Sequence, residues 1–274
     1  MLGVVPSMSR RQSFTARGRK VHLDSNSHAA EAYRTIRTSV FFGVPKGEAK
    51  TVLITSPGAG DGKTTLVSNL AIAMAQAGQK TLILDADFRK PMQHSIFEID
   101  QDKGLSSVLA GTTTLEEAIQ PTKVKGLEVL PCGPDVPNPS EILNSETFAK
   151  TLEHLSTNKY DRIIIDSPPV MPVTDAQILA AICDITLLVL RAEKSTRKFS
   201  QQARDGLLSV GAHILGAVVN DVSRKGGRYG YYSGYGYYGH KHGYGYGYRR
   251  KTREAEAEGG PGEAGRTAAG SGRE

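Results

Sequence analysis

Ser56-Pro57-Gly58-Ala59-Gly60-Asp61-Gly62-Lys63-Thr64-Thr65 lies between an apolar strand-like run (51–55) and an apolar helix-like run (64–77). Glycines at this spacing let backbone N–H groups converge on one concavity, and the helix that follows adds its positive end. Lys63 then reaches the outer phosphates of a nucleotide, and the Thr64 hydroxyl takes a Mg²⁺ position. One departure exists, since Pro57 stands where the strict pattern has glycine. The strand–turn–helix setting is what such a loop requires. It makes a nucleotide site the expectation and commits the chain to an open α/β sheet.

The rest of the chain agrees. Strand patterns fall at 51–55, 81–84, 127–130, 162–165, 185–190 and 214–219. Helical patterns fall at 27–42, 64–77, 105–110, 115–119, 140–156, 175–181 and 200–210. Ile163-Ile164-Ile165 and Thr186-Leu187-Leu188-Val189-Leu190 are apolar on consecutive residues, as strands covered on both faces must be. The expected fold is a single doubly wound, mostly parallel sheet over 25–223. Residues 1–24 lack periodicity and read as a flexible basic arm. Residues 224–274 read as a disordered tail, because glycine at this density makes ordering costly.

Charge is divided along the chain. The net charge is +6; residues 1–20 carry about +5, residues 21–223 about −4 and residues 224–274 about +5. The folded part is therefore mildly acidic, and no nucleic-acid partner is expected. Cys132 and Cys183 suggest neither a disulfide framework nor a metal set, so a reducing compartment is expected. No apolar run approaches the length of a membrane span, and the opening residues are too few for a signal-peptide core. These points make the cytoplasm the expected location.

Carboxylates gather around the loop in sequence order. Asp85 and Asp87 end the second strand pattern, at the edge where open α/β sheets bind ligands. They share one side of an extended chain and repel, so Mg²⁺, Lys63 or Arg89 should lie between or beside them. Asp166 ends another strand, ready to hold a metal through water. The tail carries nine of the chain's eleven tyrosines: Tyr229, Tyr231, Tyr232, Tyr235, Tyr237, Tyr238, Tyr244, Tyr246 and Tyr248.

With these residues placed, the chain resembles the bacterial protein-tyrosine kinases (BY-kinases) that serve polysaccharide export. The resemblance rests on the phosphate loop, Asp85-Ala86-Asp87-Phe88-Arg89, Asp166-Ser167-Pro168-Pro169 and the tyrosine cluster. Glu31-Ala32-Tyr33-Arg34-Thr35-Ile36-Arg37 adds that family's E-x-x-R-x-x-R pattern. It implies an ATP- and Mg²⁺-dependent kinase that phosphorylates its own tail in trans and regulates polysaccharide polymerisation and export. Lys63, Asp85, Asp87 and Asp166 would be catalytic, with Thr64, Asp85 and Asp166 supporting the metal and Asp87 taking the phenol proton. The nucleotide would rest on Gly58, Ala59, Gly60, Asp61, Gly62, Lys63, Thr64 and Thr65, with Asn220 at the adenine.

Glu31, Arg34 and Arg37 would join subunits into a homo-oligomeric ring. A transmembrane polysaccharide co-polymerase would act as activator and recruit the chain to the inner face of the plasma membrane; it is either a separate chain or a missing part of this one. A cognate phosphotyrosine phosphatase would reverse the reaction. Each phosphate adds about −1.5 to −2, so nine would swing the tail from about +5 to about −8 or beyond and release a neighbouring subunit. Two other readings share the core. A chromosome-partitioning or septum-placing switch ATPase would carry a lysine where Gly58 stands. A non-enzymatic nucleotide-binding adaptor would use the tail only to recruit partners.

Overall fold

The computed structural model describes residues 1–9, 11–44 and 49–223. Among them eight strands form one sheet: β1 (Gly3–Pro6), β2 (Thr51–Thr55), β3 (Thr81–Asp85), β4 (Gln120–Pro121), β5 (Leu127–Leu130), β6 (Arg162–Asp166), β7 (Ile185–Arg191) and β8 (Ile214–Val222). Their order is β1-β8-β7-β2-β6-β3-β5-β4. All pairings are parallel except β4 with β5.

Consecutive apolar residues divide between the two faces. Val52, Ile54, Ile83, Ile164 and Leu187 pack with α3 (His28–Gly43) and α4 (Lys63–Gln76). Leu53, Leu82, Leu84, Ile163 and Ile165 pack with α9 (Glu146–Asn158), α10 (Asp175–Ile182) and α11 (Arg197–Leu208). Both faces are covered, so the doubly wound arrangement holds. Shorter helices fill the connections: α1 (Phe14–Gly18), α2 (Lys20–Leu23), α5 (Gln93–Phe97), α6 (Leu105–Leu109), α7 (Leu115–Ala118) and α8 (Pro139–Leu143).

Two expectations change. Residues 140–156 were expected as one helix, but the chain stops at Asn144 and restarts. There Ser145 Oγ accepts the Phe148 N–H at 3.1 Å and donates to the Ile142 carbonyl at 2.7 Å. A serine able to cap backbone groups on both sides favours two helices over one.

Nor is the opening segment a free arm. β1 runs parallel to β8, pairing Gly3 with Val218 and Val4 with Val219, and Val5 is 1% exposed. On α4, Asn69 Oδ1 accepts the Val21 N–H at 2.9 Å and its Nδ2 donates to the Arg17 carbonyl at 2.8 Å. This ties α1 and α2 to α4. The basic tail with its tyrosine cluster lies outside the described residues.

Candidate active site

β2 delivers the chain to the carboxyl edge of the sheet, where it turns through the glycine loop into α4. Gly60 (φ 78°) and Gly62 (φ 100°) hold the left-handed backbone that the turn needs. A Cβ on Gly62 would lie 1.9 Å from Asn220 Nδ2, so this position is closed to any side chain. Gly62 is also the N-cap of α4 and supplies no side-chain partner, leaving first-turn N–H groups for an anion.

Lys63 stands at the head of α4, its side chain 10% exposed. Its Nζ is 2.6 Å from Asp87 Oδ2, 3.7 Å from Asp166 Oδ1 and 3.3 Å from Thr64 Oγ1. Burial opposes its charge, but Asp166 and Asp87 outweigh that and push its pKa up, so the ammonium is firmly protonated. Lys63 is therefore the cation that the two like charges at the end of β3 require. Arg89 is not: its Nε and Nη2 donate to the two oxygens of Asp175 at 2.8 and 3.1 Å. Ser140 Oγ also donates to Asp175, at 2.7 Å.

The three aspartates differ sharply. Asp87 faces Lys63, and its Oδ1 accepts the Lys90 N–H at 3.0 Å. Asp166 Oδ1 accepts from Thr64 Oγ1 at 3.4 Å and its Oδ2 from Gln93 Nε2 at 2.8 Å. Burial raises its pKa, partly offset by Lys63. Asp85, fully buried, turns toward α5: its Oδ2 accepts the Met92 and Gln93 N–H groups at 3.1 and 3.0 Å. Burial, then the charge of Asp166, pushes its pKa up to about 8. Asp85 thus caps a helix behind the site, where sequence reasoning had placed a metal-supporting carboxylate.

Gln93 is the residue that sequence reasoning missed. It is fully buried and also donates from Nε2 to the Thr64 carbonyl at 3.2 Å, linking α5 to the loop and to Asp166. Nothing in Pro91-Met92-Gln93-His94 marks it, because its partners Thr64, Asp85 and Asp166 are distant in sequence or lie on other elements.

Of these groups, Lys63, Thr64, Asp87 and Arg89 line a cavity of about 520 Å³, with Pro168 and Asn220 among its other walls; Asp85, Gln93 and Asp166 lie behind it. Met8, Phe14 and Arg17 of the opening segment form part of its wall. Among the expected loop residues, Ala59, Gly60, Gly62, Lys63, Thr64 and Thr65 line it, whereas Gly58 and Asp61 do not: the Asp61 side chain folds back so that its Oδ2 accepts the Gly58 N–H at 3.0 Å. Asn220 lines the cavity too, but its Nδ2 is committed to the Asp61 carbonyl at 2.9 Å.

The oxygen donors suit Mg²⁺: the Thr64 hydroxyl and the Asp166 carboxylate already meet beside the phosphate cradle. Among the described residues no cluster of three or more acidic, His or Cys side chains forms a cation cage. That fits an ion completed by phosphate oxygens and water. On α3, Glu31 pairs with Arg34 at 3.0 Å, and Arg37 Nη1 donates to the Ala73 carbonyl at 3.0 Å. All nine tail tyrosines lie outside the described residues.

Comparison with known proteins gives consistent results. Residues 49–203 match the AAA domain family. The tyrosine-protein kinase YwqD of Bacillus subtilis is 40% identical over 212 residues, covering 77% of this chain and 87% of that protein. The solved kinase domain of the Escherichia coli tyrosine kinase ETK superposes with a TM-score of 0.77 at 30% identity, covering 90% of this chain and 94% of that one. The septum site-determining protein MinD of Pyrococcus horikoshii, solved with Mg-ADP, shares less: TM-score 0.55 and 28% identity, over 66% of this chain and 71% of that one.

Proposed function

This chain belongs to the bacterial tyrosine-protein kinases built on a P-loop AAA-type core, and on that premise we propose that it transfers the γ-phosphoryl group of ATP to tyrosine hydroxyls. The observation that carries the reading is the Lys63 ammonium held between Asp87 and Asp166 beside a glycine cradle. A triphosphate in that cradle competes for Lys63. As the lysine turns to the phosphates, Asp87 is released to receive the acceptor's proton. The phenol oxygen then bonds to the γ-phosphorus while the bond to the β-bridging oxygen breaks, and ADP leaves with that electron pair.

A free phenol has a pKa near 10, so Asp87 helps by position more than by basicity; alignment and charge neutralisation provide most of the rate. Mg²⁺, when bound through Thr64 and Asp166, supplies charge neutralisation of the phosphate oxygens. Gln93 fixes Asp166, and Asp85 holds Gln93 through its backbone N–H.

The acceptors in this reading are the tail tyrosines, from Tyr229 to Tyr248, entering the site of another copy. The outward Glu31 and Arg34 of α3, with Arg37 bracing that helix from behind, join copies, and the negative charge gained by the tail parts them. Among the described residues no helix is long and apolar enough to cross a membrane. In this reading a transmembrane activator, either a separate chain or a missing part of this one, brings the chain to the inner membrane face, where it regulates polysaccharide polymerisation and export, and a phosphatase resets it.

The test is purified protein with MgATP, read by phosphotyrosine immunoblot and by mass spectrometry of residues 224–253. Lys63→Met should cut the signal at least ~10³-fold while leaving the circular dichroism unchanged. Wild-type protein that hydrolyses ATP yet never labels tyrosine would point instead to a nucleotide switch.

A further inference from the structure

The carbonyls of the phosphate loop are held by side chains that the transfer chemistry does not use. Between β7 and α11, Lys194 Nζ donates to the Ala59 carbonyl and lies 3.2 Å from Asp61 Oδ1. At the end of β7, Arg191 Nη1 donates to the Gly60 carbonyl at 3.2 Å. Its Nε and Nη2 donate to Asp221 Oδ2 at 3.0 and 2.8 Å. Asn220 Nδ2 takes the Asp61 carbonyl at 2.9 Å.

The carbonyls of three consecutive loop residues, Ala59, Gly60 and Asp61, are thus each engaged by a side chain from the β7–β8 side. A peptide unit is rigid and planar, with its N–H opposite its carbonyl. Fixing these three carbonyls therefore also fixes the direction of the N–H groups of Gly60, Asp61 and Gly62, in a loop that lines the cavity through Ala59, Gly60 and Gly62.

Two features mark this as a built arrangement. The Asp61 carboxylate is buried (2% exposed): one oxygen is spent on the Gly58 N–H, and the other faces the Lys194 ammonium. A buried carboxylate requires such a cation. In addition, Glu193 (φ 62°) and Asp221 (φ 61°), which flank Lys194 and Asn220, both adopt the left-handed backbone. Residues other than glycine hold it only where surrounding contacts impose it.

We propose that Lys194 is a positioning residue for the nucleotide, acting through Asp61 and Ala59 to keep the loop amides aimed at the phosphates. This rests on the nucleotide-site reading above. It places nucleotide affinity partly under the control of the β7–α11 turn, a segment on the far side of the loop from Lys63 and the aspartates.

The experiment is calorimetric titration of the full chain with MgADP, together with steady-state kinetics in ATP. Lys194→Met should weaken MgADP about 10-fold and raise the KM for ATP by a similar factor. The effect should fall on KM rather than kcat, and any fall in the melting temperature of the nucleotide-free protein should be recovered in Lys194→Arg. Lys194→Arg should recover most of the loss. Asp61→Asn added to Lys194→Met should weaken binding little further, since the two act through one contact. Equal affinity of wild type and Lys194→Met would overturn the proposal. So would a Lys194→Met protein that melts several degrees lower and is not rescued by arginine, since that marks a purely structural lysine. Wild-type protein that binds no MgADP would remove the nucleotide reading itself.

Discussion

Asp85 serves two masters. Its carboxylate anchors the start of α5 through two backbone N–H groups, yet it sits fully buried next to Asp166, its register partner on β6. Burial and that neighbour raise its pKa from 3.8 to about 8. Between those values the folded chain holds a proton that the unfolded chain has released. Stability therefore falls as pH rises through that window. Melting of the protein without nucleotide or Mg²⁺ should drop between pH 5 and pH 8. Asp85→Asn should flatten this slope and melt ~4 °C or more higher at pH 8. Asp166 is shifted the same way, so some slope should survive. An Asp85→Asn protein with the wild-type slope would show that Asp85 is ionised in the fold.

At the scale of elements, the opening segment departs most from expectation. β1, α1 and α2 are short and show no apolar period, so nothing local distinguishes them from a solvated arm. Their order is conferred by β8 on one side and by Asn69 of α4 on the other. Asn69 is fully buried, and Asn69→Ala would leave the Val21 N–H and the Arg17 carbonyl without their partner. The expected cost is about 1–3 kcal/mol, seen as a melting temperature ~3–10 °C lower. Trypsin should then cut within residues 11–20 before it cuts the core. Unchanged melting and protease resistance would mean that β1 alone holds the segment. The central strands were legible for the opposite reason: β6 and β7 are apolar on both faces, which few other structures tolerate.

For the whole molecule, the question is how copies meet. Glu31 and Arg34 form a pair on α3, with the Glu31 side chain 69% exposed, whereas Arg37 is tied to the carbonyl of Ala73 near the end of α4. The triplet therefore divides: Glu31 and Arg34 face outward, and Arg37 braces α3 against α4. Arg34→Glu should lower the mass seen by light scattering to that of a single chain and leave the melting temperature within ~1 °C. An unchanged oligomer, or a monomeric wild type, would remove this face from the assembly.

Local pattern alone determined six of the eight described strands, their two-sided burial, the glycine loop with Lys63 and Thr64, and the strand ends that bring Asp87 and Asp166 to one edge. Period and turn chemistry act over a few residues, so a chain read in order displays them. Tertiary structure decided the rest: that Lys63 neutralises Asp87 and Asp166, that Asp85 caps α5, that Arg89 belongs to Asp175 and that Gln93 braces the site. The partners in these contacts stand between 7 and 103 residues apart. Buried charge is tolerated only beside a fitting counter-charge or donor. Which one it meets depends on how the strands are ordered, and β6 lies between β2 and β3 only in the folded sheet.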